Sequence, residues 1–249
     1  MKNFWYRLRF LWFAYLTNYF YQDHYLLGTT NPTLLDEKFP DNKYTYTWDR
    51  PSWSTWNNII FKNSQVKLIN NEVIMTTDHN NVPNEPAIMS GEITSANFLN
   101  RTYGYYEVNM KPCGSWDATW LFQSANIPVG MEHFEIDFSE FECDTDSAFT
   151  CTIWTYGIDG KGINGKTSEI IASKRFQAKK NLTNNYHIFG CDWQSGYVAI
   201  YLDNKLLWKY TGKKIPNTNM FLWANNSYKG GSLPSSNSTR ALRVSENKY

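Results

Sequence analysis

Short runs of alternating or branched residues fill the chain, and clusters of asparagine, aspartate and glycine separate them. Residues 66–70 and 72–76 flank a two-residue turn, and residues 197–202 and 205–210 flank the turn at 203–204. Alternation is the period of a half-buried strand, and turns of this kind join antiparallel strands into hairpins. Helical periodicity is almost absent. The pattern therefore predicts an all-β domain, and many strands in one long chain favour a sandwich of two antiparallel sheets.

One of these runs has an acidic face. Phe134 and Ile136 alternate with Glu135 and Asp137, but Glu140 then lies an odd number of positions after Glu135. A regular strand would turn Glu140 into the core, where an unpaired carboxylate is costly. One extra residue would restore the alternation, so the sequence predicts a β-bulge in this strand.

A bulge near Ser139 would bring four acidic side chains, Glu135, Asp137, Glu140 and Glu142, to one face. Like charges repel, so at least one carboxyl is expected to have a raised pKa and to keep its proton near neutral pH. A carboxylic acid beside a carboxylate can cleave a glycosidic bond. The Cα atoms of Glu135 and Glu140 would be ~13 Å apart, a gap that two glutamates leaning together could close to the ~5–5.5 Å of retaining enzymes. The alternative is an acidic strand that faces water.

Composition narrows the class of partner. The 249 residues suffice for one large all-β domain, and the net charge of +1 argues against nucleic acid or an anionic membrane. Aromatic residues make up 17% of the chain. Many of them must pack the core, but exposed aromatic faces also stack on sugar rings, so a carbohydrate partner is expected.

The start of the chain differs from the remainder. Basic residues precede the aromatic run 10–16, which resembles a secretory signal but is too short to span a bilayer. An atypical signal, a membrane-surface helix and an appended helix all remain open for residues 1–30, and residues 31–249 form the expected domain. A secreted or cell-envelope protein is expected. The pairing of the four cysteines also remains open.

Residues 135–140 resemble the bulged Glu-x-Asp-x-x-Glu signature of glycoside hydrolase family 16, the laminarinase and lichenase group that includes agarases and carrageenases. Segments 90–95, 103–107, 114–120 and 186–193 are similar to further segments of that family, in the same order. The resemblance covers roughly residues 35–249, and several ordered matches are more specific than the acidic segment alone.

The resemblance implies a concanavalin-like β-jelly roll, with an open cleft across its concave sheet. It also implies a retaining mechanism in which Glu135 is the nucleophile, Glu140 is the acid and then the base, and Asp137 tunes the charge of the pair. No metal or organic cofactor is expected for this chemistry. A structural calcium ion is possible, but the sequence does not place it.

The cleft is expected to bind the substrate through several further side chains, which are Trp116, Trp120, Trp154, His133 and Glu142. Two positions depart from the family. Asp117 stands where a proline is usual, which is expected to alter the wall of the cleft. Trp154 stands where many members have a histidine, so a hydrogen-bond donor to the substrate or to a carboxylate is expected to be missing.

The sequence therefore predicts a monomeric endo-glycosidase that cuts internal β-1,3 or mixed β-1,3/1,4 linkages of a polysaccharide, with a β-glucan as the leading substrate. A β-galactan hydrolase of the agarase or carrageenase kind and a transglycosylase are alternatives within the same family. A non-catalytic carbohydrate-binding module is the alternative outside enzymes, but it would have no need for three carboxyls on a bulged strand.

Overall fold

The computed structural model describes residues 33–50, 58–114, 116–124, 127–141, 146–228, 230 and 232–248. The predicted N-terminal extension, residues 1–30, lies outside this part of the chain. Within the described ranges, no helix has the length and apolar character needed to cross a membrane.

The described chain is almost entirely β structure, interrupted by two single 3-10 turns at Pro40–Asn42 and Asn63–Gln65. The strands are β1 (Thr33–Glu37), β2 (Ile59–Phe61), β3 (Val66–Ile69), β4 (Glu72–His79), β5 (Ile88–Thr94), β6 (Gly104–Lys111), β7 (Trp116–Gln123), β8 (Glu132–Phe141), β9 (Ala148–Ile158), β10 (Glu169–Gln177), β11 (His187–Gln194), β12 (Tyr197–Leu202), β13 (Lys205–Tyr210), β14 (Met220–Ser227) and β15 (Ser235–Ser245).

The strands form two sheets that pack face to face. The front sheet has the order β5-β14-β7-β8-β9-β10, and the back sheet has the order β4-β15-β6-β11-β12-β13, with β1 on β15 and β3 on β4. β4 also pairs with β5 at Asp78 and His79, which joins the two sheets along one edge. Neighbouring strands run antiparallel except β2 and β5. The predicted all-β jelly-roll sandwich is confirmed.

Both predicted hairpins are present. β3 pairs with β4, and β12 pairs with β13. Their turns, Asn70–Asn71 and Asp203–Asn204, have positive φ at both positions, between 49° and 65°. Two-residue hairpin turns of this hand need that conformation, and asparagine and aspartate adopt it more readily than other residues with a side chain.

The core lies between the sheets and takes alternate residues from each strand. Phe134 and Ile136 of the front sheet and Phe189 of the back sheet belong to one buried apolar cluster. Cys151 and Cys191 lie in the same cluster and are free thiols. These two buried cysteines therefore form no disulfide, and Cys143 lies outside the described chain.

Asp117 faces the interior and links the two sheets. It is fully buried in β7. Its carboxylate accepts the backbone N–H groups of Cys113 and Gly114, at 2.8 and 3.0 Å, and the side-chain amide of Asn237 in β15, at 2.8 Å. The expectation that Asp117 alters the wall of the cleft is therefore wrong, because strand alternation turns its side chain to the opposite side of the sheet.

Candidate active site

The predicted bulge lies in β8 and is confirmed by the register of both neighbouring strands. On β9, Asp137 pairs with Thr152 and Glu140 with Thr150, so three steps along β8 match two along β9. On β7, Asp137 pairs with Trp120 and Ser139 with Thr119, which again shows one extra residue in β8. Phe138 is that residue.

The bulge keeps the acidic side chains on the outer side of the front sheet, which we call the front face. Glu135 pairs with Trp154, and Asp137 and Glu140 pair with residues two and four positions before it on β9. Residues two apart on a strand share a face, so Glu135, Asp137 and Glu140 share one. We call these three side chains the carboxyl trio.

Packing explains why the strand accepts the bulge. Phe134, Ile136, Phe138 and Phe141 are all buried in the core. Without the bulge, Phe141 would turn outward and Glu140 inward. Burial of a phenylalanine stabilises a fold by about 1.5–3 kcal/mol, whereas a lost backbone hydrogen bond costs about 1 kcal/mol. An unpaired buried carboxylate would add to the cost of the regular strand.

Two donors on β9 reach the trio. The Tyr156 hydroxyl donates to Oε2 of Glu135 at 2.5 Å, and Nε1 of Trp154 donates to Oδ2 of Asp137 at 2.8 Å. Both contacts are diagonal, because Trp154 pairs directly with Glu135 but reaches the next acid along the strand. The donor expected to be missing at Trp154 is therefore present, and that expectation is wrong with respect to the carboxylates.

The trio is unevenly buried, and burial controls its charge. Glu135 and Asp137 are 7% and 3% exposed, while Glu140 is half-buried. Burial raises the pKa of Glu135, the charge of Glu140 adds to the rise, and hydrogen bonds with Asp137 and Tyr156 lower it. Burial raises the pKa of Asp137 well above its usual range, and the charges of Glu135 and Glu140 raise it further. The predicted rise in pKa is thus found, and it is larger for Asp137.

Tyr156 was not predicted as a site residue. A second bulge brings it there, because His133 pairs with Gly157 and Phe134 with Thr155, which leaves Tyr156 as the extra residue of β9. Gly157 has φ 72°, and a Cβ on it would lie 2.3 Å from the carbonyl oxygen of Gly162. The glycine after an alternating tyrosine was the signal in the sequence, since a left-handed glycine is typical of such bulges.

An aromatic cluster flanks the trio on the β7 and β14 side. Trp120 pairs with Asp137 on one side and with Trp223 on the other, and the two indole rings meet edge to face at 5.9 Å. Phe122 contacts both Trp223 and Tyr156, at 5.8 and 6.0 Å between ring centroids. Nε1 of Trp223 donates to Glu92 at 2.8 Å. Trp223 and Glu92 were not predicted, because β14 lies between β5 and β7 only in the folded sheet.

The remaining predicted residues are placed as follows. Trp120 and Trp154 are half-buried beside the trio. His133 packs against Gly160 in the loop after β9, and its contact with a substrate stays a prediction. Glu142 and the side chain of Trp116 lie outside the described residues. Among the side chains that are described, histidine, cysteine, aspartate and glutamate form no cluster of three that could hold a metal ion.

Comparisons with known proteins point to one family. The family described as "Glycosyl hydrolases family 16" matches residues 53–243. A β-glucanase of Acetivibrio thermocellus is 28% identical over 174 residues, which are 69% of this chain and 47% of that protein. The chain thus spans about half the length of this curated relative.

Solved structures share the fold at lower identity. The catalytic domain of an endo-1,3-β-glucanase (laminarinase) from Thermotoga petrophila aligns with a TM-score of 0.68 and 17% identity, and the alignment covers 88% of this chain and 98% of that one. The κ-carrageenase zobellia_236 from Zobellia galactanivorans aligns with a TM-score of 0.67 and 18% identity, covering 86% of this chain and 93% of that one.

Proposed function

The chain belongs to glycosyl hydrolase family 16, and from this membership we propose that it is an endo-acting, retaining glycosidase that cuts internal β-1,3 or mixed β-1,3/1,4 linkages of a β-glucan. One observation carries the proposal. The bulge in β8 presents Glu135, Asp137 and Glu140 on one face, where burial raises the pKa of both Glu135 and Asp137. A purely structural strand has no need for this costly arrangement.

The chemistry follows from the positions of the trio. Glu135 attacks the anomeric carbon and forms a glycosyl-enzyme bond, while Glu140 gives its proton to the departing oxygen. Glu140 then takes a proton from water, and the water oxygen displaces Glu135. Tyr156 and Asp137 both hydrogen-bond Glu135, which favours its ionised form and so its role as nucleophile. The greater exposure of Glu140 gives it access to water.

The aromatic cluster supplies the sugar-binding surface in this proposal. Trp120, Trp223 and Trp154 are half-buried on the front face, so part of each indole ring is available for stacking on a sugar ring. Relatives named as β-glucanases favour a glucan as the substrate. The mechanism uses only side chains of this chain, so the protein is proposed to need no cofactor for catalysis.

A panel of polysaccharides tests the proposal. Laminarin, lichenan, barley β-glucan, agarose and κ-carrageenan are each incubated with the protein, and new reducing ends and product sizes are measured. Shortening of a glucan to oligosaccharides from early times supports endo-hydrolysis, and proton NMR of the first products shows whether the β configuration is retained. Binding to a glucan without new reducing ends would instead support a carbohydrate-binding module.

Glu135→Gln is expected to abolish turnover while the fold stays intact, because the amide cannot form the covalent intermediate. The matched control is Glu132→Gln on the same strand. Glu132 accepts from Thr155 and pairs with Lys214, outside the trio, so this variant is expected to keep its activity. Near-normal hydrolysis by Glu135→Gln would end the assignment of the nucleophile.

Galactans are the second substrate class, because the fold aligns almost equally well with the κ-carrageenase and with the laminarinase. Cleavage of agarose or κ-carrageenan, with no cleavage of the three glucans, would select this class. Transglycosylation is recognised in the same assays, since it gives longer products when a short acceptor oligosaccharide is added.

A further inference from the structure

We propose that Trp154 is a positioning residue for Asp137: its indole N–H occupies one carboxyl oxygen of Asp137 and so directs the proton on the other oxygen toward Glu135. This inference deepens the proposed function and rests on it for its kinetic test. It differs from the expectation that Trp154 acts only as a face on which sugar stacks.

The hydrogen bonds of Asp137 support this role. Oδ2 accepts Nε1 of Trp154 at 2.8 Å. Oδ1 is buried and receives no N–H or O–H group from the part of the chain that is described. Glu135 lies two residues away on the same face and is also buried, and two neighbouring carboxyl groups can hydrogen-bond to each other only if one of them carries a proton. With Oδ2 occupied by a donor, the proton belongs on Oδ1.

The register of the strands makes this orientation specific. Trp154 and Tyr156 are two residues apart on β9, and they donate to Asp137 and Glu135, which are two residues apart on β8. Two parallel diagonal contacts therefore fix two carboxyl groups at once. On the other side of β8, Trp120 stands opposite Asp137, so the neighbour on that strand is an aromatic ring.

Few titratable groups face Asp137. On β8 these are Glu135 and Glu140, and on β9 it is Tyr156, whereas the thiol of Cys151 lies on the core side of the sheet. β10 contributes Ser173 beside Thr152, and Arg175 further along the same face. An indole does not titrate, so Trp154 supplies a donor whose strength is constant with pH. A histidine at this position would add a group with a pKa near ~6.5.

Trp154→Phe tests the proposal, because it keeps an aromatic ring and removes the N–H. Without this donor, the pKa of Asp137 should rise. Its proton could then sit on Oδ2 as well as on Oδ1, and it would no longer be directed toward Glu135 to favour the ionised form of that residue. With laminarin as substrate, we expect kcat to fall about tenfold, the upper end of the effect of losing one hydrogen bond, while KM changes little. The acid limb of the kcat/KM profile should move to higher pH.

Trp223→Phe is the matched control. Its indole also donates to a carboxylate at 2.8 Å in the same sheet, but that carboxylate is Glu92, outside the trio. This variant should change KM without moving the acid limb. Trp154→His should recover most of the lost kcat through its ring N–H, and its pH profile should gain a new dependence near ~6.5.

A rise in KM alone for Trp154→Phe, with the acid limb unmoved, would overturn the proposal and leave Trp154 as a stacking residue. A carbon-13 NMR titration of the aspartate carboxyls in the wild type and in Trp154→Phe decides the same question without substrate. An unchanged Asp137 titration overturns the proposal, and a higher midpoint supports it. A wild-type chain that cleaves none of the five polysaccharides would count against the proposed function only.

Discussion

Asp137 serves the proposed chemistry but contributes unfavourably to the stability of the fold. Its carboxyl lies on a sheet face that is dry enough to raise its pKa well above the usual range, and two neighbouring carboxylates raise the pKa further. The unfolded chain has no such environment, so the folded protein binds this proton more tightly. The unfavourable contribution of Asp137 to folding is therefore absent in acid, below its ordinary pKa, and develops as the pH rises toward the higher folded value.

Asp137→Asn is expected to raise the melting temperature at neutral pH and to lower activity. The amide can still accept from Trp154 and donate to Glu135, but it carries no charge. A gain of about 1 kcal/mol would raise the melting temperature of a chain this long by about 2–4 °C, while kcat should fall about a hundredfold because the shared proton is lost. Calorimetry at several pH values checks the sign. A gain that is larger in acid than at neutral pH would contradict this account.

Strand alternation is local information, and this is why the trio and its bulge could be predicted from the sequence. Phe134, Ile136 and Phe141 must all face the core, and this requirement fixes the register of the strand. The acidic side chains must then face outward. Tyr156 depends instead on a bulge in the neighbouring strand. Trp223 comes beside Trp120 only because β14 inserts between β5 and β7. Contacts between residues on strands that are distant in sequence depend on the order of strands in the sheet, and the local alternation pattern does not predict them.

The bulge of β8 gives a prediction for the strand as a unit. Deletion of Ser139 should leave a regular strand in which Glu135, Asp137 and Glu140 still alternate toward the front face, with Glu140 opposite Thr150 as before. The deletion variant should therefore fold and keep measurable activity. Insertion of one alanine after Ser139 should also allow regular alternation, but it should move Glu140 two residues further along β9, from Thr150 to Ala148, and so away from Asp137.

Circular dichroism, thermal unfolding and reducing-end assays on the two variants check this prediction. The insertion should be inactive, because Glu140 is then about 7 Å further along the strand from Glu135 and Asp137. An active insertion variant alongside an unfolded deletion variant would show that alternation does not control this strand.

Asp117 connects the front and back sheets, and this role could not be foreseen from the resemblance. The position belongs to a segment that looks like cleft wall, but the side chain points the other way and binds Asn237 of β15. Burial raises its pKa to about 6. Because that value lies above the ordinary 3.8, the contribution of Asp117 to stability decreases as the pH rises between the two.

Asp117→Ala is expected to lower the free energy of unfolding by about 2–4 kcal/mol, because two backbone N–H groups and the Asn237 amide lose their acceptor inside the protein. Asp117→Asn should cost less, since an amide oxygen can still accept. Asp36→Ala, which removes a surface pair with Lys38, should cost less than about 1 kcal/mol. Urea unfolding monitored by tryptophan fluorescence measures all three, and equal effects of Asp117→Ala and Asp36→Ala would refute the linking role.

The strand order has a consequence for biosynthesis. β14 occupies the middle of the front sheet between β5 and β7, and β15 occupies the middle of the back sheet between β4 and β6. Neither sheet can close while a ribosome is still translating the codons for these late strands. Until then the edges of β4, β5, β6 and β7 that later pair with β14 and β15 stay open, and such edges invite aggregation. Yield in a recombinant host should therefore depend on chaperone supply more than on the final stability of the folded chain.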